Sequence, residues 1–189
     1  MVNIKLIIGS TRPNRFGPQI AKWLEEQSKN IKGATFEVVD VQELGLPLLD
    51  EPKPPLMGDY QNAHTKSWAK IVGDSDGFVF VTPEYNHSPS PALTNAIDFL
   101  GAEWGAKPAA LASYGADAGG ARAIEHLRQI VGNLHMYDIS ESVSIANYWG
   151  QLGEDGMFSA TEDQDERAQK MLTKLVFWAT EMKASRAKL

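Results

Sequence analysis

The feature that most constrains this chain is a regular alternation between short strand-like runs and amphipathic helical patterns. Runs rich in apolar or β-branched residues occur at residues 4–8, 35–41, 77–82, 107–114 and 136–145. Between and after them, apolar residues recur at helical spacing at residues 17–30, 63–72, 93–100, 124–134 and 171–182. Because parallel strands need such crossover helices, the pattern predicts an α/β fold, a doubly wound open sheet of five parallel strands with helices on both faces. We expect residues 1–189 to form one domain.

The composition restricts the kinds of site that the chain offers. The sequence has 189 residues, a net charge of −6 and no cysteine. The negative charge argues against nucleic acid as a partner, and the lack of cysteine excludes disulfides, thiol catalysis, iron–sulfur clusters and thiolate zinc sites. The four histidines show no metal-ligand spacing, so we predict no metal site. We expect no membrane span, a first strand in place of a signal peptide, and a cytoplasmic location.

The most informative loop is GSTRPNRFG at residues 9–17, which follows the first predicted strand. A helix begins where this loop ends, and a helix N-terminus attracts anions through unpaired N–H groups and a partial positive charge. Ser10 and Thr11 add hydroxyls, and Arg12 and Arg15 add guanidinium groups, which suit a dianion. The sequence therefore predicts a phosphate-binding loop that has neither a Walker motif nor a dinucleotide fingerprint. The alternative, that this loop is only a connection, stays open at this point.

Two further polar loops follow predicted strands. Residues 83–89 offer backbone amides, the flat ring of Tyr85 and the amide group of Asn86, and the glycines of residues 114–120 let a planar ring approach the backbone. Ligands of doubly wound sheets bind outside the carboxyl ends of the strands. If the strand order is 2-1-3-4-5, the three loops lie side by side. Such a site suits a mononucleotide with a phosphate at one end and a flat heterocycle at the other, such as FMN.

Three motifs carry a family resemblance: residues 9–17, PEYNHSPSPALTNAIDFL at residues 83–100 and SYGADAGGARA at residues 113–123. With them the chain resembles the NAD(P)H-dependent FMN reductase family, which includes quinone, azo and chromate reductases. The resemblance implies a flavodoxin-like fold with strand order 2-1-3-4-5, a phosphate held by the first loop and an isoalloxazine ring contacted by the other two, in part through main chain. The predicted cofactor-binding residues are Ser10, Thr11, Arg12, Arg15, Phe16, Gly17, Pro83, Glu84, Tyr85, Asn86, Ser113, Tyr114 and Gly115.

The resemblance also implies a reaction. NADPH or NADH passes a hydride to FMN, and a flavin, quinone, azo or chromate-type acceptor takes the electrons. We predict no catalytic acid or base, because the cofactor carries the chemistry. Two alternatives stay open: a flavodoxin-like electron carrier, and a binding module that senses flavin or redox state. The resemblance further implies a homodimer or a dimer of dimers, and residues 91–100, residues 120–131 and Trp104 are candidate contacts.

Three features have roles that the sequence leaves open. Residues 45–59 are predicted to form a loop without regular structure, which is either a surface excursion or a lid or partner surface. His87 is either a residue of the acceptor pocket or an ordinary surface residue. Asp117 either tunes the flavin or faces solvent.

Overall fold

The sheet confirms the predicted architecture. The computed structural model describes residues 1–188. Five strands form one all-parallel sheet in the order β2-β1-β3-β4-β5. The strands are Val2–Ile8 (β1), Ala34–Asp40 (β2), Gly77–Pro83 (β3), Pro108–Gly115 (β4) and Tyr137–Ala146 (β5).

Helices follow the strands, and all of them except the short α2 were predicted by the periodicity. They are Gly17–Ser28 (α1), Val41–Leu44 (α2), Ala63–Gly73 (α3), Pro91–Asp98 (α4), Ala121–Asn133 (α5) and Glu162–Arg186 (α6). The last helix begins well before its predicted apolar stripe, because Thr161 and Gln164 form a reciprocal capping box at its start. Among residues 1–188, no helix is both long enough and apolar enough to cross a membrane.

The sheet carries a hydrophobic core on each face. Apolar residues of α1 and α6 pack on one face, around Val79 and Val81. Residues of α3, α4 and α5 pack on the other, around Phe78 and Phe80. Every residue of β3 is buried, as expected of a central parallel strand covered on both sides.

The register of the central strands fixes the position of the loops. Ile8 at the end of β1 pairs with Val81, and Pro83 at the end of β3 pairs with Tyr114. The loops that leave β1, β3 and β4 therefore emerge side by side at one edge of the sheet.

The segment after β2 differs from its prediction. The predicted strand at residues 35–41 ends one residue earlier, because the Asp40 carboxylate accepts the N–H of Gln42 at 3.0 Å and caps α2. Further along, a 3-10 turn spans Pro55–Met57. The carboxylate of Glu51 accepts the N–H groups of Gln61 and Asn62, at 2.7 and 3.0 Å. Residues 45–59 thus form a loop as expected, and the single 3-10 turn at Pro55–Met57 is the one regular element in it.

Trp104 lies in the core and not at a subunit contact. Its side chain is fully buried, its indole N–H donates to the carbonyl of Ile97 at 3.1 Å, and its ring meets that of Phe78 edge-on at 4.9 Å. A side chain enclosed by its own chain has no surface to offer a partner, so the predicted contact role of Trp104 is wrong.

Lys107 is buried at the opposite edge of the sheet from the loops. Its ammonium group donates to the carbonyl oxygens of Val72 and Gly73, at 2.6 and 3.0 Å, and so caps the last turn of α3. Burial, together with the nearby charge of Arg186, lowers the pKa of Lys107 to about 8.

We expect Lys107→Met to destabilise the protein by an amount that grows with pH. The folded pKa of about 8 lies below the ordinary value of 10.5, so between these values the unfolded chain binds more protons than the folded chain. The stability that Lys107 contributes therefore rises with pH across this window. Urea unfolding near pH 8 and near pH 10.5 measures it. If the difference in unfolding free energy between the wild type and the variant is the same at the two pH values, the lowered pKa of Lys107 is contradicted.

Candidate functional site

The first loop, residues 9–17, is held against β3 and α4 at its start. The N–H of Gly9 donates to the carbonyl of Val81 at 2.8 Å, and its own carbonyl accepts the hydroxyl of Ser90 at 2.5 Å. A Cβ on Gly9 would lie 2.8 Å from the Cβ of Leu93. Glycine is therefore required here by the close approach of α4.

Three hydroxyl groups converge beneath this loop, and we call Ser10, Tyr85 and Tyr114 the hydroxyl cluster. Ser10 is 1% exposed, and its Oγ lies 3.1 Å from the phenolic oxygen of Tyr85. Tyr114 is buried, and its hydroxyl lies 3.2 Å from the position that a Cβ on Gly17 would occupy. Burial, followed by the proximity of Tyr85, raises the pKa of Tyr114 above its ordinary value. Tyr114 thus keeps its proton and remains a hydrogen-bond donor.

The two arginines of the first loop have different environments. Arg15 forms an ion pair with Asp40, the carboxylate that caps α2, and its Nε is buried without a partner among residues 1–188. Arg12 is exposed at the cleft. Within the described part of the chain, no ion pair involves Arg12. Its guanidinium is therefore the one that is available to an anion.

No described residue places a side-chain cap or an acidic group at the positively charged start of α1. Phe16 is the N-cap residue, no side chain of residues 1–188 caps the helix, and its first turn holds no acidic residue. The ring of Phe16 stacks on that of Tyr148 at 4.3 Å. A helix end of this kind favours negative charge.

The second loop turns back on itself directly after β3. Asn86 and His87 both have positive φ, 52° and 65°, and Tyr85 and Ser88 exchange N–H to carbonyl bonds of 2.9 and 3.0 Å. This geometry is a two-residue turn of type I′. The side chains of Asn86 and His87 are exposed, and the ring of Tyr85 faces the cleft.

Glu84 uses its side chain to hold α5. The carboxylate accepts the N–H groups of Arg122 and Ala123, at 3.2 and 3.4 Å, and pairs with the Arg122 guanidinium. Partial burial acts to raise the pKa of Glu84, but these bonds outweigh it and hold the pKa below its usual value. The N–H of Glu84 donates to the carbonyl of Tyr114 at 3.3 Å, so its own carbonyl is the group left for a ligand.

The third loop, residues 114–120, is shaped by a buried serine and two glycines. Ser113 Oγ donates to the carbonyl of Gly119 at 2.8 Å and lies 3.2 Å from Ser144 Oγ. Gly119 and Gly120 both have positive φ, 60° and 86°. Ser113 thus supports the loop from beneath, while Asp117 is exposed.

The residues that follow β5 also reach the cleft, which sequence reasoning missed. The N–H of Asn147 donates to the carbonyl of Gly115 at 2.8 Å, and this bond places Tyr148 and Trp149 beside the third loop. Trp149 is 56% exposed. An aromatic pair directly after the fifth strand, at the same edge of the sheet, was the available signal.

The cleft has two compartments that share Arg12 and Tyr85. One, of about 180 Å³, lies at the third loop, and its other walls are Pro83, Glu84, Tyr114, Gly115, Ala116, Tyr148 and Trp149. The second, of about 240 Å³, lies at the start of α4, and its other walls are Thr11, Ser90, Pro91 and Ala92. Seven of the thirteen predicted residues line these compartments. The six that do not are Ser10, Arg15, Phe16, Gly17, Asn86 and Ser113.

The side chains at the cleft are mainly hydrogen-bond donors. Within residues 1–188, no group of three or more His, Cys, Asp or Glu side chains is placed to hold a metal ion. The donors are hydroxyls, backbone amides and one free guanidinium, which together match an anion.

A parallel sheet in the order 2-1-3-4-5 with a cleft at its carboxyl edge defines a protein of the flavodoxin-like class. Among solved structures, FerB, a flavoenzyme NAD(P)H:(acceptor) oxidoreductase from Paracoccus denitrificans, superposes with a TM-score of 0.74 at 22% identity, covering 96% of this chain and 99% of FerB. The sequence profile of the NADPH-dependent FMN reductase family matches residues 2–150. The chain belongs to this family of oxidoreductases.

Relatives with assigned names agree with this placement. An NAD(P)H-dependent FMN reductase of Schizosaccharomyces pombe is 42% identical over 135 residues, which cover 70% of this chain and 67% of that protein. An NAD(P)H:quinone oxidoreductase of Solanum tuberosum is 29% identical over 190 residues, covering 97% of this chain and 95% of that protein.

We expect Gly120→Ala to destabilise the protein, because the new Cβ would lie 2.6 Å from the Cβ of Ser113 in a backbone with φ of +86°. Strain of this kind costs about 1–3 kcal/mol. Gly132→Ala is the matched control, since Gly132 lies in α5 with nothing near its Cβ position, where alanine is favoured by about 0.5–1 kcal/mol. Urea unfolding of both variants measures the contrast, and equal stabilities would contradict it.

Proposed function

We propose that this protein binds FMN in the cleft and acts as an NAD(P)H-dependent oxidoreductase that reduces flavin, quinone, azo or chromate-type acceptors. The observation that carries the proposal is the meeting of the hydroxyl cluster, the free guanidinium of Arg12 and an aromatic-walled compartment at one edge of the sheet. Membership of the FMN reductase family supports it. NADPH is the proposed donor, after the family's description.

The donor set fits the phosphate of FMN. Arg12 offers a planar fork, Ser10 and Tyr85 offer hydroxyls, and the start of α1 offers a partial positive charge without an acidic neighbour in its first turn. Arg15 supports this loop through its ion pair with Asp40. Ser10, Thr11, Arg12, Phe16 and Gly17 are the residues that we propose for the phosphate end.

The other compartment fits a planar ring. Its walls are the aromatic rings of Tyr85, Tyr114 and Trp149 and the main chain around Pro83 and Gly115. Aromatic walls and exposed main-chain groups suit the isoalloxazine system, which has flat faces and a polar edge. Glu84 and Asn86 contribute through their main chain, and Ser113 holds the third loop in place.

The chain's own part in the reaction is to bind and orient. When bound, FMN supplies the chemistry that accepts a hydride from the nicotinamide and passes electrons on to the acceptor. Arg12 fixes the position of the phosphate, while the second and third loops fix the plane of the ring. The Glu84 carboxylate is engaged with α5 and the Tyr114 hydroxyl stays protonated. The proposal therefore assigns no acid or base to the protein.

Assembly and location are part of the proposal. A homodimer or a dimer of dimers, in contact through the exposed faces of α4 and α5, is supported by the position of these helices directly after the second and third loops. A reducing, cytoplasmic location is supported by the absence of cysteine.

The direct test is an anaerobic absorption spectrum of the protein with FMN, before and after NADPH. We expect a perturbed flavin band that bleaches within seconds and recovers when a quinone or air is added. A bound flavin that stays oxidised would favour an electron carrier or a sensor instead. No flavin binding would refute the proposal.

We expect Ser10→Ala to weaken FMN binding by on the order of 1.5–3 kcal/mol, as for the loss of a hydrogen bond to a charged group. Arg12→Ala should weaken the binding of FMN more than that of riboflavin, which lacks the phosphate. Fluorescence titration with both flavins measures the two effects. Arg167→Ala is the control, because Arg167 is an exposed residue of α6 that pairs with Asp163 away from the cleft. Equal losses of FMN and riboflavin affinity in Arg12→Ala would contradict the phosphate assignment.

A further inference from the structure

A larger groove adjoins the cleft on the side of α2. It has a volume of about 500 Å³, within the range of small-molecule sites, and we call it the apolar groove. Its walls are mainly carbon surface, from Val41, Leu46, Pro47, Leu48, Pro91 and Ala92. Neither the family description nor the names of the relatives accounts for it.

The apolar groove is continuous with the cleft. It shares Thr11, Pro91 and Ala92 with the compartment at the start of α4. That compartment shares Arg12 and Tyr85 with the one at the third loop. The apolar groove therefore opens at the start of α4, beside the compartment that Arg12 and Tyr85 line.

Hydrogen bonds to α4 hold the wall of the groove in place. The side-chain amide of Asn95 donates to the carbonyl of Pro47 at 2.8 Å, and its oxygen accepts the N–H of Leu49 at 2.9 Å. Asp40 caps α2 and pairs with Arg15, which ties the opposite wall to the first loop. The groove is therefore formed before any ligand arrives, so binding does not have to order it.

The chemistry of these walls selects an apolar ligand. The Asn95 side chain uses one N–H and one lone pair in its bonds to Pro47 and Leu49, and Thr11 and Gln42 are the other polar side chains of the lining. Leu48, at the rim, is 84% exposed, and covering such a side chain with an apolar group is favourable. Because most of the wall is carbon, a charged ligand would lose more hydration here than an alkyl group would.

We propose that the apolar groove binds an alkyl or prenyl substituent of the electron acceptor, which makes side-chain-bearing quinones the favoured acceptor class. This inference rests on the proposed function for the position of the quinone head. The groove itself is tested separately, by binding.

The first experiment measures binding by calorimetry on the full chain, with and without FMN. The probes are a pentyl-substituted benzoquinone and its methyl analogue, and the lack of cysteine removes thiol addition to the quinone. We expect the pentyl compound to bind about tenfold more tightly or better, since each buried methylene contributes. Equal affinities for the two compounds would overturn the proposal.

A matched pair of variants locates the contact. Leu48→Asp places a charge at the rim of the groove, while Leu56→Asp makes the same change at a residue that is 80% exposed on the same segment but outside the groove. We expect Leu48→Asp to abolish most of the preference for the pentyl compound and Leu56→Asp to retain it. An equal effect of the two variants would overturn the proposal.

The second experiment compares turnover. The ratio of kcat/KM for the pentyl quinone to that for the methyl quinone should exceed about tenfold in the wild type, fall in Leu48→Asp and stay in Leu56→Asp. If the two quinones are turned over with nearly equal kcat/KM values, the groove assignment is overturned. A pentyl preference in binding without any NADPH-driven turnover would leave the groove standing and refute the proposed function.

Size-exclusion chromatography of the same variants tests another occupant. If Leu48→Asp dissociates an oligomer and leaves the pentyl preference unchanged, the groove is a contact between two copies of the chain and the proposal is overturned. We expect the elution of Leu48→Asp and Leu56→Asp to match that of the wild type.

Discussion

The buried hydroxyl of Ser90 holds the first loop and the start of α4 together. It accepts the N–H of Leu93 at 3.2 Å, which caps α4, and it donates to the carbonyl of Gly9 at 2.5 Å. Gly9 permits this approach because it has no Cβ to collide with Leu93. One small side chain and one missing side chain thus hold the first loop against α4. They set the hydroxyl cluster on one side of this contact and the apolar groove on the other.

Local charge in the cleft runs against the charge of the whole chain. The protein carries a net charge of −6, yet two carboxylates close to the first and second loops are engaged elsewhere. Asp40 pairs with Arg15, and Glu84 pairs with Arg122 while it caps α5. These pairings leave Arg12 and the start of α1 as positive groups that no described ion pair opposes, which supports the proposed phosphate site.

The strands, the main helices and the loops after the strands were predictable from the sequence. Several side-chain contacts between residues distant in sequence were not. The runs at residues 77–82 and 107–114 predicted β3 and β4 because central parallel strands are apolar throughout. The loops that follow them were found because glycine and proline mark strand ends. The path of residues 45–59 was missed because Asn95 holds part of it from another element. The pairing of Arg15 with Asp40 and the place of Trp149 beside Gly115 likewise depend on the sheet bringing distant residues together.

The way in which Asn95 holds the neighbouring segment has an evolutionary consequence. Its bonds reach only the backbone of Pro47 and Leu49, and the side chain of Leu48 is 84% exposed, so the path of the chain does not depend on which side chain stands at position 48. Mutations at this position can change the chemistry of the groove wall while the backbone keeps its course. Descendants of such a protein can therefore change which molecules they bind in the groove while the residues that hold the cofactor stay the same.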